Sequence, residues 1–199
     1  MSEQIEIEFK NLLTETEFEQ ILEAHQIGEK QFVKQKNYYF DTPEFELKDR
    51  ACALRIRERG GRYEMTLKEP LLTGEGLLET NTELDYEKAS SILSGSSIPP
   101  IDIRDKISQM GIDPEQMSCF GTLTTARAEI PYEGGLLVFD KSTYFDVTDY
   151  ELEYETNHYE EGMRIFEELL KKASIPQRKT DNKVRRFFTE MQRVKTRED

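Results

Sequence analysis

Long apolar runs are missing from this 199-residue chain. No stretch approaches the ~18 residues of a membrane-spanning helix, and the N-terminus carries no apolar core of a secretory signal. Cysteine is scarce: Cys52 and Cys119 have no metal-ligand spacing, and each reads as a small core residue in a strand rather than a disulfide partner. His25 and His158 stand singly at helix boundaries, as surface or cap residues with no ligand partner at useful spacing. Basic residues are outnumbered, 27 Lys and Arg against 40 Asp and Glu, for a net charge of −13. That balance argues against a general binder of nucleic acid or of membrane surfaces. It leaves a small anionic ligand open, because local charge decides such binding. No fixed-period repeat or low-complexity tract occurs. With 34% charged and 36% hydrophobic residues, the chain reads as one large globular domain over 1–199, long enough to bury a core, with a cytoplasmic location expected.

What is present is charge at strand spacing. Ile5-Glu6-Ile7-Glu8-Phe9-Lys10 alternates strictly, so Glu6, Glu8 and Lys10 share one face of a strand and Ile5, Ile7 and Phe9 the other. The design returns at 149–155, where Glu151 and Glu153 lie in Asp149-Tyr-Glu-Leu-Glu-Tyr-Glu155. Between them, 51–59 and 62–69 read as a hairpin across Gly60-Gly61, with Arg55, Arg57 and Arg59 on one face of the first arm. Arg62, Glu64, Thr66 and Lys68 share a face of the second.

The remaining elements follow from local signals. Thr14-x-x-Glu17 is a capping box opening a helix over 15–25. A strand over 33–41 ends in Asp41-Thr-Pro, where Asp41 is expected to cap backbone amides; Tyr38, Tyr39 and Phe40 on it read as core. After a loop at 70–76, Glu79, Asn81 and Glu83 share a strand face, which leaves two candidates for one carboxylate position. Short helices near 85–94 and 102–110, joined by a linker, make 85–117 a helical cover, and Gly111 reads as a C-cap. Strands at 119–130 and 136–140 carry Arg127 and Asp140. A helix over 158–173 places Met163, Phe166, Leu169 and Leu170 on its apolar side, and a basic helix is expected over 178–193. In that last segment Arg185-Arg186 reads as a solvated face, while Asp149 and Glu155 read as rim residues.

Eight strand candidates and about five helices indicate an α+β protein with antiparallel strands. The helices need apolar surface, so the apolar strand faces should turn outward to them and the charged faces inward. Eight strands can close into a barrel with a ligand-sized interior. Such a lumen would be lined by carboxylates able to hold a hard divalent cation and by Arg and Lys able to hold phosphate oxygens. Isolated buried charges would be costly, so pairing of the two signs is required.

With Glu6-x-Glu8-x-Lys10 at its start, the chain resembles the CYTH superfamily, the triphosphate tunnel metalloenzymes. Arg55-x-Arg57, Lys68, Glu79, Arg127, Asp140, Glu151-x-Glu153 and Lys183 follow in the family's order, so the resemblance spans roughly 4–185. The phrases Gln-Lys-Asn-Tyr-Tyr-Phe-Asp-Thr and Leu-Arg-Ile-Arg look like the Firmicutes branch labelled adenylate cyclase or thiamine-triphosphatase-like. The resemblance implies an eight-stranded antiparallel tunnel, helices outside, that uses Mg2+ or Mn2+ to hydrolyse a small triphosphate. By position, Lys10, Arg55, Arg57, Lys68, Arg127 and Lys183 would bind phosphates, and Glu6, Glu8, Glu79, Asp140, Glu151 and Glu153 would hold metal. Glu6, Glu8, Lys10 and Glu153 would serve the chemistry. Many relatives carry a second basic residue where this chain has Thr125, so phosphate grip on that strand would be weaker or supplied by Lys179 or Arg178.

Inorganic triphosphate is the leading substrate expected, with loops 70–76 and 141–148 shaping access. Adenylate cyclase, thiamine triphosphatase and a non-catalytic polyphosphate or nucleotide-binding module are the competing readings. The sequence assigns no oligomeric state.

Overall fold

The computed structural model describes residues 2–71, 76–99 and 101–198. Eight antiparallel strands are present: β1 Ser2–Leu13, β2 Val33–Asp41, β3 Ala53–Arg59, β4 Arg62–Pro70, β5 Leu77–Leu84, β6 Ser118–Tyr132, β7 Gly135–Tyr144 and β8 Val147–Thr156. Their hydrogen-bonded order, β1-β5-β4-β3-β2-β6-β7-β8, returns to its start and closes the sheet into a barrel. Six α-helices are described: α1 Glu15–Ala24, α2 Glu46–Asp49, α3 Tyr86–Leu93, α4 Asp102–Gln109, α5 Tyr159–Lys172 and α6 Lys183–Glu198. The eight strands and the α+β class are those expected. The sequence reading lacked the four-residue α2.

Two compact units make up the chain, one of residues 1–6 and 35–122, the other of 7–34 and 123–199. In the first, the hairpin β3–β4 turns at Gly60 and Gly61, both at positive φ (59° and 79°), where a side chain would be strained. Leu54, Ile56, Met65 and Leu67 point to one face of that hairpin and bury against Ile92 of α3 and Ile103 and Ile107 of α4. Arg55, Arg57 and Lys68 are left on the face opposite the helices. Asp41 caps as expected, accepting from the backbone N–H groups of Thr42, Leu47 and Lys48 at 2.8, 2.9 and 3.0 Å. Phe40 enters the core with Tyr38 packed against it, whereas Tyr39 points the other way and stacks on Phe120, ring centroids 6.3 Å apart.

In the second unit the capping box at Thr14 and Glu17 forms, and α1 buries Phe18 and Ile21. These residues join Leu137, Phe139, Leu152 and Tyr154 on one face of β7–β8, with Ile165, Phe166, Leu169 and Leu170 of α5. Helix α5 lies close: a Cβ at Gly162 would sit 2.4 Å from Thr156 Cγ2 and 2.7 Å from Phe9 Cε2. Three expectations are corrected. Met163 is 39% exposed, because the buried stripe runs through Gly162, Ile165 and Phe166 instead. Cys119 is exposed, not core, while Cys52 is buried; both are free thiols. The segment 141–148 is strand end, tight turn and strand start, not a loop. Residues 72–75 of the other expected access loop, and Pro100 of the linker, lie outside the described residues.

Candidate active site

In each unit the ionisable side chains lie on the strand face opposite the one packed by that unit's share of α1–α5. In the first unit Lys68 is the hub, its Nζ 2.5 Å from Glu6 Oε2 and 2.5 Å from Glu79 Oε1. Register explains the pairing, since Lys68 lies directly across from Glu79 and Gln4, two residues before Glu6, is Glu79's partner on β1. Of the two candidate carboxylates, Glu79 is 4% exposed and Glu83 is exposed, so Glu79 is the buried one. Burial pushes its carboxyl pKa up, but Lys68 and Arg55 outweigh that and hold it at about 2. Arg57 lies across from Asn37, and its Nε donates to Asn37 Oδ1 at 3.1 Å. Arg55 Nε is buried with no hydrogen-bond partner among the described residues.

The second unit gathers a denser cluster. Arg127 is opposite Asp140 on β7, and Asp140 is opposite Glu151 on β8. The Arg127 guanidinium binds Asp140 through two nitrogens at 2.8 and 2.6 Å and reaches Glu153 Oε2 at 2.7 Å. Lys183, the first residue of α6, donates to Asp140 Oδ2 and to Glu153 Oε1 (3.0 Å), and lies 3.1 Å from Glu151 Oε2. Asp140 is wholly buried. Burial alone would neutralise these groups, yet Arg127 and Lys183 hold the Asp140 carboxyl low, and Lys183, Arg127 and Lys10 do so for Glu153. Lys10 is conversely held above the usual lysine range: against burial, Glu8, Glu153 and Glu151 favour its charge. Asp140, Glu153, Arg127 and Lys183 thus each favour the charged form.

Glu8 pairs with Lys10 and lies directly across from Glu155, the two carboxylates offering oxygens within 4.8 Å of each other. Glu8 Oε1 is buried, and Lys10 Nζ is the cation that meets it. Glu6 precedes Glu8 by two residues on the same strand face. These carboxylates suit a hard divalent cation in donor type. Each of Glu6 and Glu8 meets one lysine, Lys68 and Lys10 respectively, whereas Asp140, Glu151 and Glu153 each meet both an arginine and Lys183.

Three features escaped the sequence reading. Glu155, next to the end of β8, is set opposite Glu8 by the β1–β8 register, which is not written in either strand alone. Arg186 is not on a solvated face. It is 11% exposed, with Nε on Asp149 at 2.8 Å and its two terminal nitrogens on Glu151 at 3.1 and 2.7 Å. Its position one helical turn after Lys183 was the available signal; Arg185 alone faces solvent, paired with Asp181. Arg178 does not stand in beside Thr125, since its guanidinium is bound by Glu17 at 2.8 Å and by the Leu12 carbonyl at 2.9 Å. Thr125 shares a buried 2.9 Å hydrogen bond with Ser142 Oγ, and Lys179 is exposed.

The strands close into an antiparallel barrel, and in each unit one strand face carries paired acids and bases. A CYTH domain model matches residues 4–188, and the chain belongs to that family. It is similar to a protein of Bacillus subtilis (strain 168) named "Putative triphosphatase YjbK", 48% identical over 190 residues that cover 96% of this chain and 97% of that one. A crystal structure from Bacillus halodurans, described as a "putative adenylate cyclase", superposes with a TM-score of 0.90 at 41% identity, covering 94% of this chain and 100% of the other. The Hippeastrum protein HpAC1, described as a "putative adenylyl cyclase" with a dominant triphosphatase activity, superposes at 0.79 with 26% identity, covering 94% and 96%.

Proposed function

We propose that this chain hydrolyses the terminal phosphate of a small triphosphate with a divalent cation, Mg2+ or Mn2+, and that inorganic triphosphate is its substrate. The observation that carries this reading is the basic face of the first unit. Arg55, Arg57 and Lys68 share it, and the buried Nε of Arg55 has no acceptor among the described residues. A buried guanidinium N–H left unpaired is costly, and a phosphate oxygen is the acceptor that its planar fork fits. The relatives' descriptions as triphosphatases support the reaction class.

Glu6, Glu8 and Glu155 would hold the cation, which when bound neutralises phosphate charge and polarises the scissile group. The chain's own residues do the rest. Arg55, Arg57 and Lys68, with Lys10, Arg127 and Lys183, bind and orient the phosphate oxygens and stabilise charge gathering on the transferred group. Glu153, held ionised by its cations, accepts a hydrogen bond from the attacking water and aims its oxygen at the terminal phosphorus. The new P–O bond forms as the bridging P–O bond breaks, the water's proton passes to an oxygen of the phosphate it joins, and the diphosphate leaves with its charge matched by Lys and Arg. Because Glu153 sits well below the usual carboxylate range, it orients the water without taking its proton at neutral pH.

The test is phosphate release from inorganic triphosphate, thiamine triphosphate and ATP with Mg2+ or Mn2+, with cyclic AMP assayed in the ATP sample. Fastest release from inorganic triphosphate, abolished by chelator, is expected. Cyclic AMP as the main ATP product would make the chain a cyclase, and tight binding without turnover of any of the three would make it a binding module.

A further inference from the structure

We propose that Arg186 is a positioning residue that docks α6 through Glu151 and Asp149 and so presents Lys183, and that Glu151 serves this docking instead of a metal ion. The assignment of Lys183 as a phosphate ligand, on which the first half depends, belongs to the function proposed above.

The chain reaches α6 without regular structure. Residues after α5 are clipped to β1 by Asn11, which donates to the Pro176 carbonyl at 3.1 Å and accepts from the Arg178 N–H at 2.6 Å, and by Leu12 N–H to Thr180 Oγ1 at 3.0 Å. Those clips end three residues before Lys183. From there the first turn of α6 must fix itself, and Lys183, Arg186 and Phe187 fall on one face of it. Phe187 is buried against Tyr144 and Phe145, ring centroids 5.6 and 5.1 Å away. Arg186 supplies direction: its fork meets both oxygens of Glu151, its Nε meets Asp149 Oδ2, and its Nη1 also donates to the Asp181 carbonyl. Tyr144 Oη donates to the same Asp149 oxygen at 2.6 Å, which ties the receptor to the β7–β8 hairpin.

Glu151 is 1% exposed, and both its oxygens face the guanidinium, with Lys183 Nζ as a third donor. A cation at Glu151 would have to displace a bidentate arginine. A lysine at 186 would keep the charge but lose the fork.

The experiment is a double-mutant cycle of Lys183→Met and Arg186→Met, read as calorimetric binding of inorganic triphosphate in chelator, where nothing turns over. Hydrogen exchange of α6 is measured on the same proteins. Each single variant should weaken binding by roughly tenfold or more, the range of a charge-assisted hydrogen bond. The double variant should bind no more weakly than Lys183→Met alone. Amides of α6 should exchange faster in Arg186→Met, and Arg186→Lys should not restore them. Glu151→Gln should loosen α6 in the same way yet keep Mn2+ affinity. Multiplying effects in the double variant, wild-type protection of α6 in Arg186→Met, or loss of Mn2+ binding in Glu151→Gln would each overturn the proposal. Should Arg186→Met fail to fold, the exchange and Mn2+ readouts of Glu151→Gln decide. If the wild type binds no triphosphate, the proposed function fails, and the exchange data still decide the docking.

Discussion

The two units handle charge in opposite ways. The first sets Arg55, Arg57 and Lys68 on one face against Glu6 and Glu79, and one buried guanidinium N–H stays without an acceptor among the described residues. The second matches Lys10, Arg127, Lys183 and Arg186 to Glu8, Asp140, Asp149, Glu151 and Glu153, with Glu155 beside Glu8, so that acids are in excess. A face with cations to spare suits an anion, and one with carboxylates to spare suits a cation. A net charge of −13 is therefore compatible with a local basic face, because the sheet sorts its charges by face and by unit.

The strongest way to break this contrast is to remove one charge from each side. Glu8→Gln should cut metal-supported phosphate release about 10³-fold, and Arg57→Met about 10²-fold or more, with circular dichroism unchanged. Near-normal turnover in Glu8→Gln would show that the acidic face was misassigned. Next in size is a stability effect confined to the second unit. Asp140→Asn leaves Arg127 and Lys183 buried with a weakened partner and should cost about 3–5 kcal/mol in urea unfolding. Gly162→Ala sharpens the dependence of that unit on its helices: the new methyl meets Thr156 and Phe9, and a loss of about 1–3 kcal/mol is expected from overpacking.

The smallest effect concerns the half-exposed pair Glu17–Arg178. Hydrogen bonding to Arg178 lowers the Glu17 pKa below 4.5 despite partial burial. A depressed carboxyl contributes stability above its unfolded pKa and loses it as pH falls through the folded one. Glu17→Gln should thus be less stable than wild type by under about 1 kcal/mol at pH 7. The two should converge in acid, which thermal melts across pH will show.

Elements with period-two alternation were legible without coordinates. Glu6, Glu8 and Lys10, the Arg55–Arg57 arm and Glu151–Glu153 announced their strands, and closure followed because outward apolar faces leave charges only one place to go. What stayed hidden depends on partners distant in sequence. Glu155 gains its meaning from the residue it faces on β1, Arg186 from the acids under α6, and Glu79 is told from Glu83 by burial alone. Met163 misled because a helix's apolar stripe is fixed by what it packs on: Gly162 makes the closest approach and rotates Met163 outward.

The most direct measurement is paired calorimetry on the wild type, Glu8→Gln and Arg57→Met, titrating Mn2+ alone and inorganic triphosphate in chelator. The account predicts a crossed pattern: Glu8→Gln loses Mn2+ affinity and keeps triphosphate affinity, while Arg57→Met does the reverse. Equal loss of both ligands in both variants, or the opposite crossing, would contradict the division of labour between the acidic and basic faces.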